Sequence, residues 1–141
     1  MPSIVVMCDM KNIDTVKLAS PVSTWIHSDK NLSEIHVSGI EELISLGCRN
    51  FLFTGNNSRN FEDFVDAIIE DKKCDLILTA SSNESNEHCL EEFLSIKNIN
   101  KIEIKSFIIF VLLKDGNEES FFLKRLRKML HILGIEPKFL I

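Results

Sequence analysis

The segment Ser106-Phe107-Ile108-Ile109-Phe110-Val111-Leu112-Leu113 constrains this chain more than any other. After its serine it is unbroken apolar sequence, β-branched and aromatic, bounded by Lys105 and Lys114. A membrane span needs about 20 apolar residues, so the run is too short for that role. It also lacks the polar alternation that would give a strand one wet face. It reads as a strand covered on both sides, and such strands belong to parallel sheets flanked by helices. At 141 residues and 45% hydrophobic, the chain is large enough to bury a real core.

The remaining segments alternate in the same sense. Ser3 to Cys8 is a short β-branched strand, and Thr24-Trp25-Ile26-His27 is a second. Ser38-Gly39-Ile40-Glu41 has capping-box spacing. It opens a helix with Ile40, Leu43 and Ile44 on one face and Gly47 as its stop. Phe51 to Thr54 is a third strand, closed by Gly55-Asn56-Asn57. Asn60 caps a helix in which Phe61, Phe64, Val65, Ile68 and Ile69 recur at helical spacing. Leu76 to Thr79 is a fourth strand, followed by a polar loop over Ala80 to Ser85. Cys89, Leu90, Phe93 and Leu94 mark a third helix. A long last helix runs from the Asp115-Gly116-Asn117 turn to Gly134, and residues 137–141 read as a short edge strand. The expected fold is a single α/β domain over residues 1–141. It has three layers, with a mostly parallel sheet of about five strands and helices on both faces.

The leading residues carry no basic stretch, and their apolar run ends at Asp9, so no signal peptide is expected. Cys8, Cys48, Cys74 and Cys89 show no C-x-x-C spacing and lie in or beside apolar segments. Reduced, mostly buried thiols and a cytoplasmic location are expected, without membrane association.

Ligands of parallel sheets sit beyond the C-terminal ends of the strands. Those ends supply Cys8 and Asp9, His27 and Ser28, Thr54 to Asn57, and Ala80 to Glu84, a polar rim in which Asp9, Asn56, Ser82 and Glu84 are the candidate small-ligand site of a Rossmann-like or enzymatic domain. Known chemistries fail there. No G-x-G-x-x-G follows a strand, and Gly55-Asn56-Asn57-Ser58-Arg59 lacks the second glycine and lysine of a phosphate loop. A response-regulator receiver shares the β–α alternation, with Thr79 and Lys114 after the fourth and fifth strands. Its phosphoryl-accepting aspartate is missing after Thr54, however, and Asp9 stands alone. His27, His36, His88 and His131 show no metal-ligand spacing. A Cys8–His27 nucleophile pair requires the first two strands to be neighbours. The expectation is no catalytic residue, no metal and no cofactor.

Charge is unevenly placed. Residues 61–92 hold two lysines against ten acidic residues, a net −8, whereas the whole chain is −5. The surplus disfavours direct nucleic-acid binding and favours a basic partner. The candidate contact residues are the carboxylates of the second and third helices: Glu62, Asp63, Asp66, Glu70, Glu87, Glu91 and Glu92. The cluster Lys124, Arg125, Arg127 and Lys128 in the last helix reads as complementing the helix dipole.

A compact, acidic α/β chain without a catalytic motif resembles the immunity proteins of bacterial contact-dependent growth inhibition and related polymorphic toxin systems. The likeness is one of kind, since those proteins share no motif. It implies a protein that binds a cognate toxin domain one to one. For a nuclease toxin, an RNase above all, the acidic surface would cover the basic substrate-binding surface. Residues 40–113 also resemble a small uncharacterised bacterial family with an acidic helix and a Thr-Thr-Trp-His strand end. Here that end reads Thr79-Ala80-Ser81-Ser82, without the Trp and His.

Overall fold

The structure, a computed structural model, describes residues 2–74 and 76–140. Its strands are β1 (Ser3–Met7), β2 (Val22–Ser28), β3 (Cys48–Thr54) and β4 (Leu78–Ser81), the short pair β5 (Asn98–Ile99) and β6 (Ile102–Glu103), then β7 (Ser106–Leu112) and β8 (Lys138–Leu140). The helices are α1 (Glu34–Ser45), α2 (Ser58–Asp71), α3 (Asn86–Ser95) and α4 (Gly116–Ile132). Six strands make one sheet in the order β4-β3-β2-β7-β1-β8, and every pairing in it is parallel.

The apolar segment takes the place its sequence demands. Every residue of β7 is buried, between β2 and β1. Its alternate side chains enter two cores. Ile108, Phe110 and Leu112 join Ile40 and Leu43 of α1 and Phe61 and Val65 of α2 on one face. Phe107, Ile109 and Val111 join Leu90 and Phe93 of α3 and Phe122, Leu126 and Leu130 of α4 on the other. Each such side chain contributes about 1.5–3 kcal/mol on burial. The result is the expected three-layer α/β architecture, with six strands rather than about five.

The helices divide by the direction of travel. The chain moves outward from β2 to β3 to β4 with α1 and α2 on one face. It then returns through α3 to β7 and continues through α4 to β8 on the opposite face. A constant hand of crossover requires that exchange of faces. The order also departs from the 2-1-3-4-5 arrangement of receiver-like sheets, because β7 separates β1 from β2.

Several boundaries differ from the expectation, each for a local reason. Helix α1 starts one turn early. Ser33 is its N-cap, and His36 closes the capping box that Ser38 and Glu41 were expected to form. Helix α2 begins at Ser58 after Asn57, so Asn60 lies inside it. Asn57 instead donates through Nδ2 to the backbone oxygens of Asp29 and Lys30. β4 runs two residues late, placing Ala80 and Ser81 in the strand. The β5–β6 hairpin was not expected. It closes on Asn100 and Lys101, both at positive φ, as a two-residue hairpin turn requires. β2 and β3 are longer than read because their polar residues pair across the sheet. Asn50 Nδ2 donates to Ser23 Oγ at 2.9 Å, and Thr24 Oγ1 lies 3.2 Å from Cys48 Sγ. Among the described residues, no buried side-chain nitrogen or oxygen lacks a partner.

Candidate functional site

Helix α2 buries Phe61 and Val65, and this fixes where its carboxylates go. Glu62, Asp66 and Glu70 follow one another at i, i+4, so like charges face one another along the helix, an unfavourable arrangement in isolation. Two of them tie the helix to β4. Ser81 Oγ donates to Glu62 at 2.7 Å, and Thr79 Oγ1 donates to Asp66 at 2.6 Å. Asp63 and Glu70 are exposed, and none of the four forms an ion pair among the described residues. The nearby Lys72 is engaged by Glu41 of α1 at 3.6 Å. Asp75, part of the same acidic stretch of sequence, lies outside the described residues.

β4 ends the sheet. Among the described residues, no strand pairs with its outer side. Leu76 and Leu78 are 56% and 50% exposed at this edge. The α2 carboxylates therefore border an open strand edge with apolar side chains on it.

Glu87, Glu91 and Glu92 of α3 lie elsewhere, because α3 packs on the opposite face of the sheet from α2. Two of the three are already engaged. Glu87 pairs with Arg125 of α4, and Glu92 lies 3.4 Å from His88. Glu87 is held below the usual carboxylate range by its backbone amide, with help from Arg125. Glu91 borders an apolar cavity with Leu94, Phe107 and Leu133. The seven candidate carboxylates thus do not form one face, and the coherent group is the one on α2.

The expected rim is also divided. Asp9 accepts from the Lys11 amide at 3.0 Å in a local turn and borders a separate groove along β1 and β8. Ser82 is a turn residue, with its hydroxyl accepting from the Glu84 amide at 3.1 Å, and Glu84 is exposed. Asn56 alone lines a cavity with the neighbouring strand ends. That cavity lies where β2 and β7 part, the first continuing to α1 and the second to α4 on opposite faces. Such divergence opens a crevice in parallel sheets.

Behind this cavity, which His27 lines, lies a hydrogen-bonded group that the sequence did not join, although His27 and Thr54 both stand among the strand ends. Trp25 Nε1 donates to Thr54 Oγ1 at 2.8 Å, and His27 Nδ1 lies 2.7 Å from the same oxygen. His27 stacks on Phe122 with centroids 4.2 Å apart and planes within 12°. Burial pushes the imidazole pKa down to about 4, against an opposing pull from Asp29. The alternating side-chain directions of β2 and β3 place Trp25, His27 and Thr54 together. The shared rim of strand ends brings His27 and Thr54 near one another, but the register that joins them to Trp25 is not readable from spacing.

Cys8 and His27 do not pair, because β7 stands between β1 and β2. All four cysteines are free; Cys48 and Cys89 are buried and Cys8 and Cys74 half-buried. Burial pushes the Cys8 thiol up to about 11 and that of Cys48 to about 12, so neither is a thiolate at neutral pH. Among the described residues, no three His, Cys, Asp or Glu side chains converge as metal ligands, and no helix is long and apolar enough to cross a membrane. No family model, curated protein or solved structure matches the chain.

Proposed function

We propose that the protein is a binding protein of the immunity type, which neutralises a basic toxin domain by docking its α2 carboxylates and the open β4 edge against it. The observation that carries this reading is the row Glu62, Asp63, Asp66 and Glu70, without an ion-pair partner among the described residues, beside an unpaired strand edge. A basic surface would relieve the repulsion along α2 and speed encounter at low salt. The exposed Leu76 and Leu78 would supply apolar contact, and the β4 backbone could accept a strand. The nuclease character of the partner, and RNA as its target, rest on the resemblance to toxin immunity proteins.

The test is co-purification of the tagged protein with a basic toxin fragment at one-to-one stoichiometry, followed by association kinetics at two salt concentrations. Asp63→Lys with Glu70→Lys reverses two exposed charges that form no ion pair or side-chain hydrogen bond among the described residues. It should slow association about tenfold or more and flatten its salt dependence. Glu87→Gln, on the other face, should leave both unchanged. Equal rates for the α2 variant and the parent protein would remove α2 as the contact face.

A further inference from the structure

The register of β4 fixes which of its groups an incoming strand would meet. The Ser82 amide donates to the Phe53 carbonyl at 3.0 Å, and Phe53 pairs with Ser81. Orientation alternates along a strand, so Ala80 and Ser82 turn their backbone groups to β3, while Thr79 and Ser81 turn theirs outward. Among the described residues, no strand or loop backbone receives those outward groups. Exposed backbone of this kind is a template for a further strand.

The same register sorts the side chains by face. Thr79 and Ser81 lie on the α2 face, where their hydroxyls donate to Asp66 and Glu62. Each bond holds a carboxylate beside the strand edge and takes up only one of its oxygens. Leu78 and Ala80 lie on the opposite face, exposed and uncharged. A strand added to β4 therefore presents every second side chain to the α2 carboxylates and the others to apolar neighbours.

Charge argues against a second copy of this chain as the occupant. Two β4 strands paired antiparallel about a two-fold axis would keep both α2 helices on one face, with their carboxylate rows side by side. Like charges so placed oppose association, whereas a basic strand relieves the repulsion already present in α2.

We propose, on the acidic-edge reading, that the partner docks through an extended strand of alternating basic and apolar residues that continues the sheet beyond β4. Its basic side chains pair with Glu62 and Asp66, its apolar ones cover Leu78 and Ala80, and its backbone bonds Thr79 and Ser81. Main-chain bonds then supply affinity, and the alternate side chains supply selection.

The probe is the capped peptide Lys-Val-Arg-Val-Lys-Val-Arg, titrated into isotope-labelled protein and followed by amide NMR shifts. Saturable shifts are expected at Thr79 and Ser81. A control of the same composition, Lys-Arg-Lys-Arg-Val-Val-Val, should move α2 amides alone. An added strand bonds through alternate residues, so N-methylating one set, the valines or the basic residues, should weaken binding about tenfold or more, and N-methylating the other should change it little. Equal shifts from both peptides, confined to α2, would overturn the added strand and leave the acidic contact face standing. Absence of saturable shifts at millimolar peptide, or full affinity in both N-methylated forms, would overturn it as well. Dimerisation through β4 in sedimentation runs would assign the edge to a second copy instead. Strand binding at Thr79 and Ser81, with toxin association indifferent to Asp63→Lys and Glu70→Lys, would keep the strand and remove the toxin reading.

Discussion

Burial, not a charged neighbour, sets the protonation of His27. Its pKa falls from the ordinary 6.5 to about 4, and Asp29 only partly opposes the fall. In the unfolded chain the ring takes up its proton as pH drops through about 6.5, whereas in the folded chain it does so only near 4. The stability held by the neutral ring is therefore complete above pH 6.5 and lost as pH falls to about 4, up to about 3 kcal/mol. His36 shifts in the same direction, first through burial and then through Lys30, and adds to the slope. Thermal melts between pH 7 and pH 4 should show a shallower loss of Tm in His27→Gln than in the parent protein. Parallel curves would mean that His27 takes up its proton alike in the folded and the unfolded chain. The burial was not legible in the sequence, where His27 stands at a strand end and was weighed only as a partner of Cys8 or a metal ligand. Its hydrogen bond with Thr54, which also receives the Trp25 indole N–H, exists only once β2 and β3 pair in register.

At the level of elements, the helix ends carry the clearest energetic signatures. Asp115 accepts from two amides at the start of α4, so Asp115→Ala should cost about 1 kcal/mol in chemical denaturation. The adjacent Gly116 has ordinary helical space around it, and nothing would meet an added Cβ within 4 Å. Gly116→Ala should therefore stabilise by about 0.4–1 kcal/mol, measured in the same way. Gly55 is the opposite case. At φ +93, a Cβ there would lie 2.3 Å from the Ser28 carbonyl oxygen, so the β3–α2 turn admits no side chain. Helices α2, α3 and α4 and strand β7 were legible because their apolar spacing matches one period over many residues. The start of α1 was not, because Ser33-Glu34-Ile35-His36 caps through a histidine where the reading sought a glutamate at Ser38-Gly39-Ile40-Glu41. β4 shifted because Thr79 and Ser81 are strand residues held by α2 carboxylates, and that support is invisible before the helix packs.

Across the whole molecule, the alternation of strands and helices foretold the layers but not the order of the sheet. The acidic block shows the cost of that gap. Its residues are contiguous in sequence, yet α2 and α3 fall on opposite faces because the chain reverses direction after β4. Only the α2 half remains available as a single charged surface. The insertion of β7 between β1 and β2 has a further consequence, for a chain still being made on the ribosome. Among the described residues β1 pairs with β7 and β8 alone, so its partners arrive about a hundred residues later. β2 meanwhile has β3 on one side and an empty slot on the other. Closing such distant partners is slow, and the waiting apolar strands are exposed while it happens. A truncated chain of residues 1–105 should therefore lack cooperative unfolding and bind a hydrophobic dye. Adding a synthetic peptide of residues 106–141 should restore a melting transition, since the missing central strand would arrive from outside.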